Sequence, residues 1–382
     1  MWLFRSGLFV LGFAGINIYT GLKVFALIKY FLPQFRAFFF WPLYVLFCFS
    51  FVWMMQVRIE WLRQMAMNTL PALFYFFLGL LVLDALRFVL QHLHFIPSSA
   101  FYSFAGTGIA LILTIGVLVY GYHHARNIHT VYYTITLNKG EGMPPLRFAL
   151  VSDLHIGATV DRKWVAKIVD VVNKAEPDLI CLAGDIFDRN IDTIPDLEGV
   201  ALELRRFNAP MGVYACQGNH DVDRLSLREE GKTDRIQDFL KTAGIRFLLD
   251  EVELVADRFY LAGRRDSRPI GSRQERKTAA ELTAGLELSK PLVFLDHQPV
   301  DFIKEEEAGA DLILSGHTHR GQVFPGNVVT RGIYKKAGAV HYGYWQGRSA
   351  QALVSSGAGV WGPPIRVATQ SEVVVVEVLF GK

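Results

Sequence analysis

Aspartate, asparagine and histidine recur in five short clusters over the second two-thirds of this 382-residue chain. These are Asp153-Leu154-His155, Gly184-Asp185-Ile186-Phe187-Asp188, Gly218-Asn219-His220-Asp221, Asp296-His297-Gln298-Pro299 and Gly316-His317-Thr318-His319, and they hold five of the eleven histidines. Carboxylates short enough to bridge two cations, beside imidazoles that bind transition metals without adding charge, are the donors of a two-metal site. Such a site, its ions about 3.5 to 4 Å apart, clamps the attacking and leaving oxygens of a displacement at phosphorus. Mixed nitrogen and oxygen donors favour Mn, Fe or Zn over Mg or Ca, which prefer all-oxygen shells. Any single cluster reads equally well as turn chemistry, because Gly, Asn and Asp are the usual turn formers. Turns do not demand histidines at five matching places.

Each cluster follows an apolar run of strand length: residues 146–151, 179–183, 212–216, 291–295 and 311–314. In open α/β sheets ligands bind outside the carboxyl ends of the strands, which is where these donors fall. Between the first two runs, residues 162–175 read as an amphipathic helix N-capped by Asp161, with Trp164, Val165, Ile168, Val171 and Val172 on one face. The stretch is therefore a βαβ unit with a right-handed crossover expected. Further helices are expected over 197–207 and 233–243, and a closing buried strand over 372–379. On an extended segment, one-residue spacing puts Asp153 and His155 on one side, and likewise His317 and His319.

The first 124 residues carry as charged groups only Arg5, Lys23, Lys29, Arg36, Arg58, Glu60, Arg63, Asp84 and Arg87. Four apolar segments, 7–28, 37–55, 71–90 and 104–122, have the roughly 20-residue length that crosses a bilayer. They predict a bundle of about four transmembrane helices over residues 1–125 and a soluble domain over 126–382. The first segment is too long for a signal peptide and lacks a cleavage site. Lys23 within it is expected to snorkel outward. Four spans put both termini on one side, and Arg5, Arg58, Arg63 and Arg126 against Lys29 and Arg36 make that side cytoplasmic. Asp84 and Arg87, three apart in the third span, read as a self-neutralising pair or as a functional intramembrane site. The three cysteines give no disulfide framework.

Two further segments stay open at this level. The basic run over 264–277 is either a solvated insertion or a clamp for an anionic substrate or lipid headgroup. Residues 341–345, rich in aromatics, belong to the core or to a membrane interface. Arg189, next to Asp188, either grips phosphate or pairs on the surface.

In their order and spacing the five clusters resemble the calcineurin-like metallophosphoesterase family, with its D-x-H, G-D-x-x-D, G-N-H-[DE], later H and G-H-x-H, over residues 146–379. Ser355-Ser356-Gly357 and Gly362-Pro363-Pro364-Ile365-Arg366 are similar to its membrane-anchored bacterial branch, which includes membrane-linked phosphodiesterases and UDP-diacylglucosamine hydrolases. The resemblance implies an α/β fold, a sandwich of two mixed β-sheets flanked by helices. It also implies one divalent ion on Asp153, His155, Asp185 and His319 and a second on Asp185, Asn219, His297 and His317, with Asp185 as the bridge. A metal-bound hydroxide would attack phosphorus, with His220 as general acid and Asp188 orienting it. Arg320 stands where this branch often has Gly, so Arg189 and Arg320 are the candidates for substrate binding.

The function expected on these grounds is metal-dependent phosphoester or pyrophosphate hydrolysis of a phosphorylated lipid or nucleotide-lipid. The setting would be the lipid bilayer of a bacterial inner membrane, with the catalytic domain on the cytoplasmic side. The alternative is a phosphodiesterase of soluble nucleotides or nucleic acid that is merely anchored. No basic-aromatic face stands out beyond 264–277, so no stable nucleic-acid partner is expected.

Overall fold

The structure is a computed structural model and describes residues 2–50, 60–157, 159–188, 191, 194–222, 234–270, 275–336 and 338–381. It divides into two compact units, Met1–Tyr122 and His123–Lys382. The first unit is built from helices α1 (Trp2–Phe31), α2 (Ala37–Cys48), α3 (Glu60–Met67) and α4 (Thr69–His92), and α5 (Ala100–Ala125) runs from it into the second. Among the described residues, three stretches are long and apolar enough to cross a membrane: Val10–Phe31, Met65–His92 and Ala100–Ala125.

Among the described residues three candidate spans stand where four were expected. Within the described residues the second segment contains the 12-residue helix α2, which ends where Phe49 leaves helical dihedrals. At about 1.5 Å per residue it is too short for a hydrocarbon core of about 30 Å. Residues 51–55 of that segment lie outside the described residues. With three spans, the inference that both termini share a side no longer follows. Lys23 does not snorkel either: its ammonium lies 2.5 Å from Asp84 Oδ2, the Tyr19 hydroxyl donates to the same oxygen at 2.5 Å, and Arg87 stands 3.4 Å from Oδ1. One carboxylate among three donors lowers the cost of charge in an apolar setting by local neutralisation.

The second unit is a two-sheet sandwich. In the first sheet the spatial order is β1 (Ile128–Leu137), β12 (Ser371–Phe380), β2 (Leu146–Val151), β3 (Leu179–Ala183), β4 (Val213–Cys216) and β5 (Arg246–Leu248). Strands β2 to β5 are parallel, and β12 runs antiparallel to β2. In the second sheet the order is β10 (Gly343–Gln346), β11 (Gln351–Val354), β9 (Leu312–Ser315), β8 (Leu292–Leu295), β7 (Phe259–Gly263) and β6 (Glu251–Val255). Its four central strands are parallel, with antiparallel β10 and β6 at the edges.

Strand alternation sorts the core into layers. Along β2, Phe148 and Leu150 enter the core between the sheets, where Leu179, Cys181, Leu295 and Leu314 meet them. Ala149 and Val151 face the other way, into a core closed by α6 (Arg162–Lys174), α7 (Leu197–Leu204) and α8 (Arg235–Thr242). A third core lies between the second sheet and the short helices α9 (Ala279–Thr283) and α10 (Phe302–Glu307). Asp161 caps α6 as its spacing predicts, accepting from Trp164 N at 2.9 Å. Burial of Trp164, Val165, Ile168 and Val172 fixes the helix to the sheet, each side chain contributing about 1.5 to 3 kcal/mol. The parallel strands consequently end together, and the five clusters follow from that common edge.

Candidate metal centre

Backbone hydrogen bonds carry the β2–β3 pairing past the ends of both strands and set the first two clusters side by side. Asp153 N donates to Gly184 O at 3.0 Å, His155 N to Asp185 O at 2.9 Å and Ile156 N to Ile186 O at 2.8 Å. The one-residue spacing works differently from the extended geometry expected. Asp153, His155, His317 and His319 all have left-handed backbones, with φ of 53°, 47°, 73° and 47°, and so does Asp185 at 51°. Left-handed backbone costs an L-residue roughly 1 to 2 kcal/mol. Strain of this kind persists where surrounding contacts over-determine it, and it gathers at functional sites.

Asp185 shows how the contacts do so. His220 N donates to its Oδ1 at 2.8 Å, which leaves Oδ2 facing two imidazoles, 3.2 Å from His297 Nε2 and 3.5 Å from His155 Nε2. Gly218 packs so closely that a Cβ there would stand 2.0 Å from Asp185 N, so only glycine allows the approach. Asp153 accepts from His317 N through both oxygens at 3.0 Å and places Oδ1 3.4 Å from His319 Nε2. His155 Nε2 and His319 Nε2 are 3.0 Å apart. Asn219 Oδ1 stands 2.8 Å from His317 Nδ1 and 3.2 Å from His297 Nε2.

Lone-pair donors thus converge from five loops. Two trios, Asp153-His155-His319 and Asp185-His297-His317, each bring one donor atom per residue within 4.8 Å of one another. The tautomer of His297 adds to the fit: its Nδ1 lies 2.8 Å from Ala183 O, so Nδ1 carries the proton and Nε2 is left as the donor atom. Burial disfavours a second proton on this ring, but the charges of Asp185 and Asp153 outweigh burial and raise its pKa, so a metal on Nε2 takes the place of a proton. Burial depresses the His155 imidazole, takes His317 down to about 3 and, with the neighbouring His155 and Arg366, takes His319 well below its ordinary value. Neutral imidazole is the form that binds a metal. Burial opposes ionisation of Asp185, yet the surrounding histidines, His297 foremost, hold it well below the usual carboxylate range. The residues present therefore fit divalent cations.

Asp188 and His220 sit beside the donors. His220 Nδ1 lies 3.4 Å from Asp188 Oδ1, and both line up with His155 in a further trio of possible ligands. The donors open into a cleft of about 390 Å³ whose walls also include Ile270, Gln322, Thr330 and Trp361. Arg320 turns its guanidinium onto the Tyr342 ring, 4.2 Å from the centroid. Arg189 lies outside the described residues.

Two residues matter more than their sequence context suggests. Asp221, fully buried, accepts from Gly218 N at 2.9 Å, Phe187 N at 2.9 Å and Ile186 N at 3.1 Å, and so ties the Asp185 and Asn219 loops together. Arg366, also fully buried, donates to Ser356 O at 2.6 Å, Gly359 O at 2.8 Å and His319 O at 3.3 Å. The only sequence signal for either was its place in a quoted motif. Other charges do structural work. Asp296 does not point its carboxylate at the metal donors but pairs with Arg264 at 3.2 Å and with Arg276. Arg264 also reaches Glu305 at 2.9 Å, so these two arginines of the basic run belong to a buried ion-pair network, neither solvated nor free to clamp a substrate. Residues 271–274 of that run lie outside the described residues.

Fold and donors together define a two-sheet α/β sandwich whose strand ends gather carboxylates and imidazoles suited to divalent cations. Residues 146–321 match the family described as calcineurin-like phosphoesterase. The chain thus carries a calcineurin-like phosphoesterase domain over these residues. It is 29% identical over 231 residues to an uncharacterized metallophosphoesterase of Campylobacter jejuni, covering 60% of this chain and 58% of that protein. To an uncharacterized metallophosphoesterase of Helicobacter pylori it is 30% identical over 245 residues, covering 61% and 60%. To a transmembrane protein with metallophosphoesterase domain of Danio rerio it is 29% identical over 290 residues, covering 71% and 62%. The chain thus spans about three fifths of these relatives' own lengths.

Proposed function

We propose that this chain is a membrane-integral two-metal phosphohydrolase that cleaves a phosphoester or pyrophosphate bond of a lipid-linked substrate. The observation that carries this reading is the presence, in one chain, of a full set of largely buried metal donors and three helices of membrane-crossing length. Charge around the last of those helices supports a cytoplasmic catalytic unit, as at a bacterial inner membrane: Arg126 follows it, and no Lys or Arg stands between residues 91 and 100.

In this reading Asp153, His155, Asp185 and His319 would hold one ion and Asp185, Asn219, His297 and His317 the other, with Mn, Fe or Zn suited to the donors. When bound, such ions act as Lewis acids on the phosphoryl oxygens and lower the pKa of water toward neutrality. Asp185 keeps Oδ1 on the His220 amide and offers Oδ2 to both sides. His220, held through Nδ1 by Asp188, presents Nε2 to the leaving oxygen and gives it a proton. Arg320 and Arg189 bind the substrate's anionic groups.

The full-length protein in detergent, supplied with Mn, is expected to release phosphate or a phosphorylated product from a lipid pyrophosphate or phospholipid, and to lose that activity on Asp185→Ala and on His220→Ala. Hydrolysis confined to water-soluble esters would overturn the lipid assignment.

A further inference from the structure

Helix α11 (Gly326–Lys336, GNVVTRGIYKK) turns its aliphatic side chains away from the protein. Gly326, Asn327, Thr330 and Tyr334 are its partly buried positions, whereas Val328, Val329 and Ile333 are 60%, 58% and 59% exposed. A helix packed only to complete a fold puts its apolar side chains inward. Here the inner face follows the cleft: Thr330 lines it, and the helix packs on the short 3-10 turn His319–Gly321 that carries a metal donor. Gly321 permits that packing, since a Cβ there would stand 2.3 Å from Asn327 N. The outer face adds Arg331, Lys335 and Lys336 to its apolar residues, and the helix has no acidic residue. Phe324, just before it, and Trp361, on the rim of the cleft, are 42% and 51% exposed.

We infer that the outer face of α11 rests on the surface of an anionic phospholipid bilayer, with Val328, Val329 and Ile333 in the headgroup–acyl boundary and the three cations on lipid phosphates. Apolar side chains beside Lys and Arg are what an interfacial helix presents to such a surface. An exposed apolar patch next to a cleft marks an interaction site. A chain with three helices of membrane-crossing length keeps its second unit at a high effective concentration near lipid, so a short helix suffices. The docked helix would hold the cleft at the depth of lipid phosphates, and this consequence rests on the lipid-substrate reading above.

The test uses the full-length protein in vesicles of phosphatidylethanolamine and phosphatidylglycerol. Val329→Cys and Ile333→Cys, labelled with an environment-sensitive fluorophore, are expected to emit at shorter wavelength and to be quenched by nitroxide-bearing lipid; the native cysteines are all buried. Emission as in water overturns the inference, and so does a blue shift without lipid quenching, which would mean that protein covers the face. In parallel, Val328→Glu, Val329→Glu and Ile333→Glu combined are expected to lower kcat/KM for lipid substrate in vesicles by about tenfold or more, with hydrolysis of a soluble aryl phosphodiester unchanged. Equal lipid hydrolysis by this variant and the parent overturns the docking inference alone. If the parent hydrolyses no lipid, the substrate reading fails, and the quenching result still decides docking.

Discussion

His155 Nε2 and His319 Nε2 face each other at 3.0 Å across a sequence separation of 164 residues, both buried and both on left-handed backbone. Burial holds both imidazoles toward the neutral form, in which each ring keeps one unprotonated nitrogen, and Asp153 Oδ1 lies 3.4 Å from His319 Nε2. A cation held by these groups would be bound through those nitrogens and would support the strained backbone.

Metal removal is therefore expected to destabilise the second unit. A ligand present at about 100 times its Kd adds about 2.7 kcal/mol, so chelation should lower the melting temperature by roughly 5 °C or more. Calorimetry with and without chelator, followed by Mn addition, measures this. His155→Ala and His319→Ala should each abolish the metal-dependent part of the shift.

As the proposed general acid, His220 is expected to set the alkaline side of the rate profile. Burial alone would depress its pKa, but Asp188 at 3.4 Å and the charge of Asp185 outweigh burial and raise it. A general acid works only while protonated, so the rate holds below this pKa and falls as pH rises through it. Asp188→Asn weakens the effect that raises the pKa, and the alkaline limb of kcat/KM should move to lower pH. A limb that does not move would assign the proton to another group. His220→Ala should cost about 100- to 10,000-fold in kcat.

Asp221→Ala leaves three backbone N–H groups without their acceptor. At about 1 kcal/mol net for each hydrogen bond, the loss comes to about 3 kcal/mol. Urea unfolding of the metal-free protein should show it. Metal titration should show weaker binding as well, because the Asp185 and Asn219 loops lose their common anchor.

Arg320→Ala tests the substrate role given to this residue. Arg320 stands one residue beyond His319, and its guanidinium stacks on Tyr342. Loss of a charge-assisted contact present in both ground and transition states should raise KM about tenfold with kcat little changed. An unchanged KM would leave Arg320 as a packing residue on Tyr342.

Much of this was legible in the chain itself. Runs such as 146–151 and 179–183 alternate little because both faces of these parallel strands are buried, and the polar clusters that follow mark their ends. The Asp161 cap and the apolar face of α6 were equally local signals. Asp296 was not separable from its neighbour His297, since its partners Arg264 and Arg276 lie 32 and 20 residues away. The outward aliphatic face of α11 is not legible in the sequence, because its apolar residues have ordinary helical spacing and spacing does not say which side meets the protein.

The sequence by itself determined the donor types, their place after strands and the apolar character of the first third, because strand period, helix period and composition are properties of short windows. Tertiary structure decided which atoms converge. The left-handed turns, the position of Asp185 Oδ2 between two imidazoles and the 3.0 Å approach of His155 to His319 come from contacts between distant segments, and local pattern does not encode such contacts.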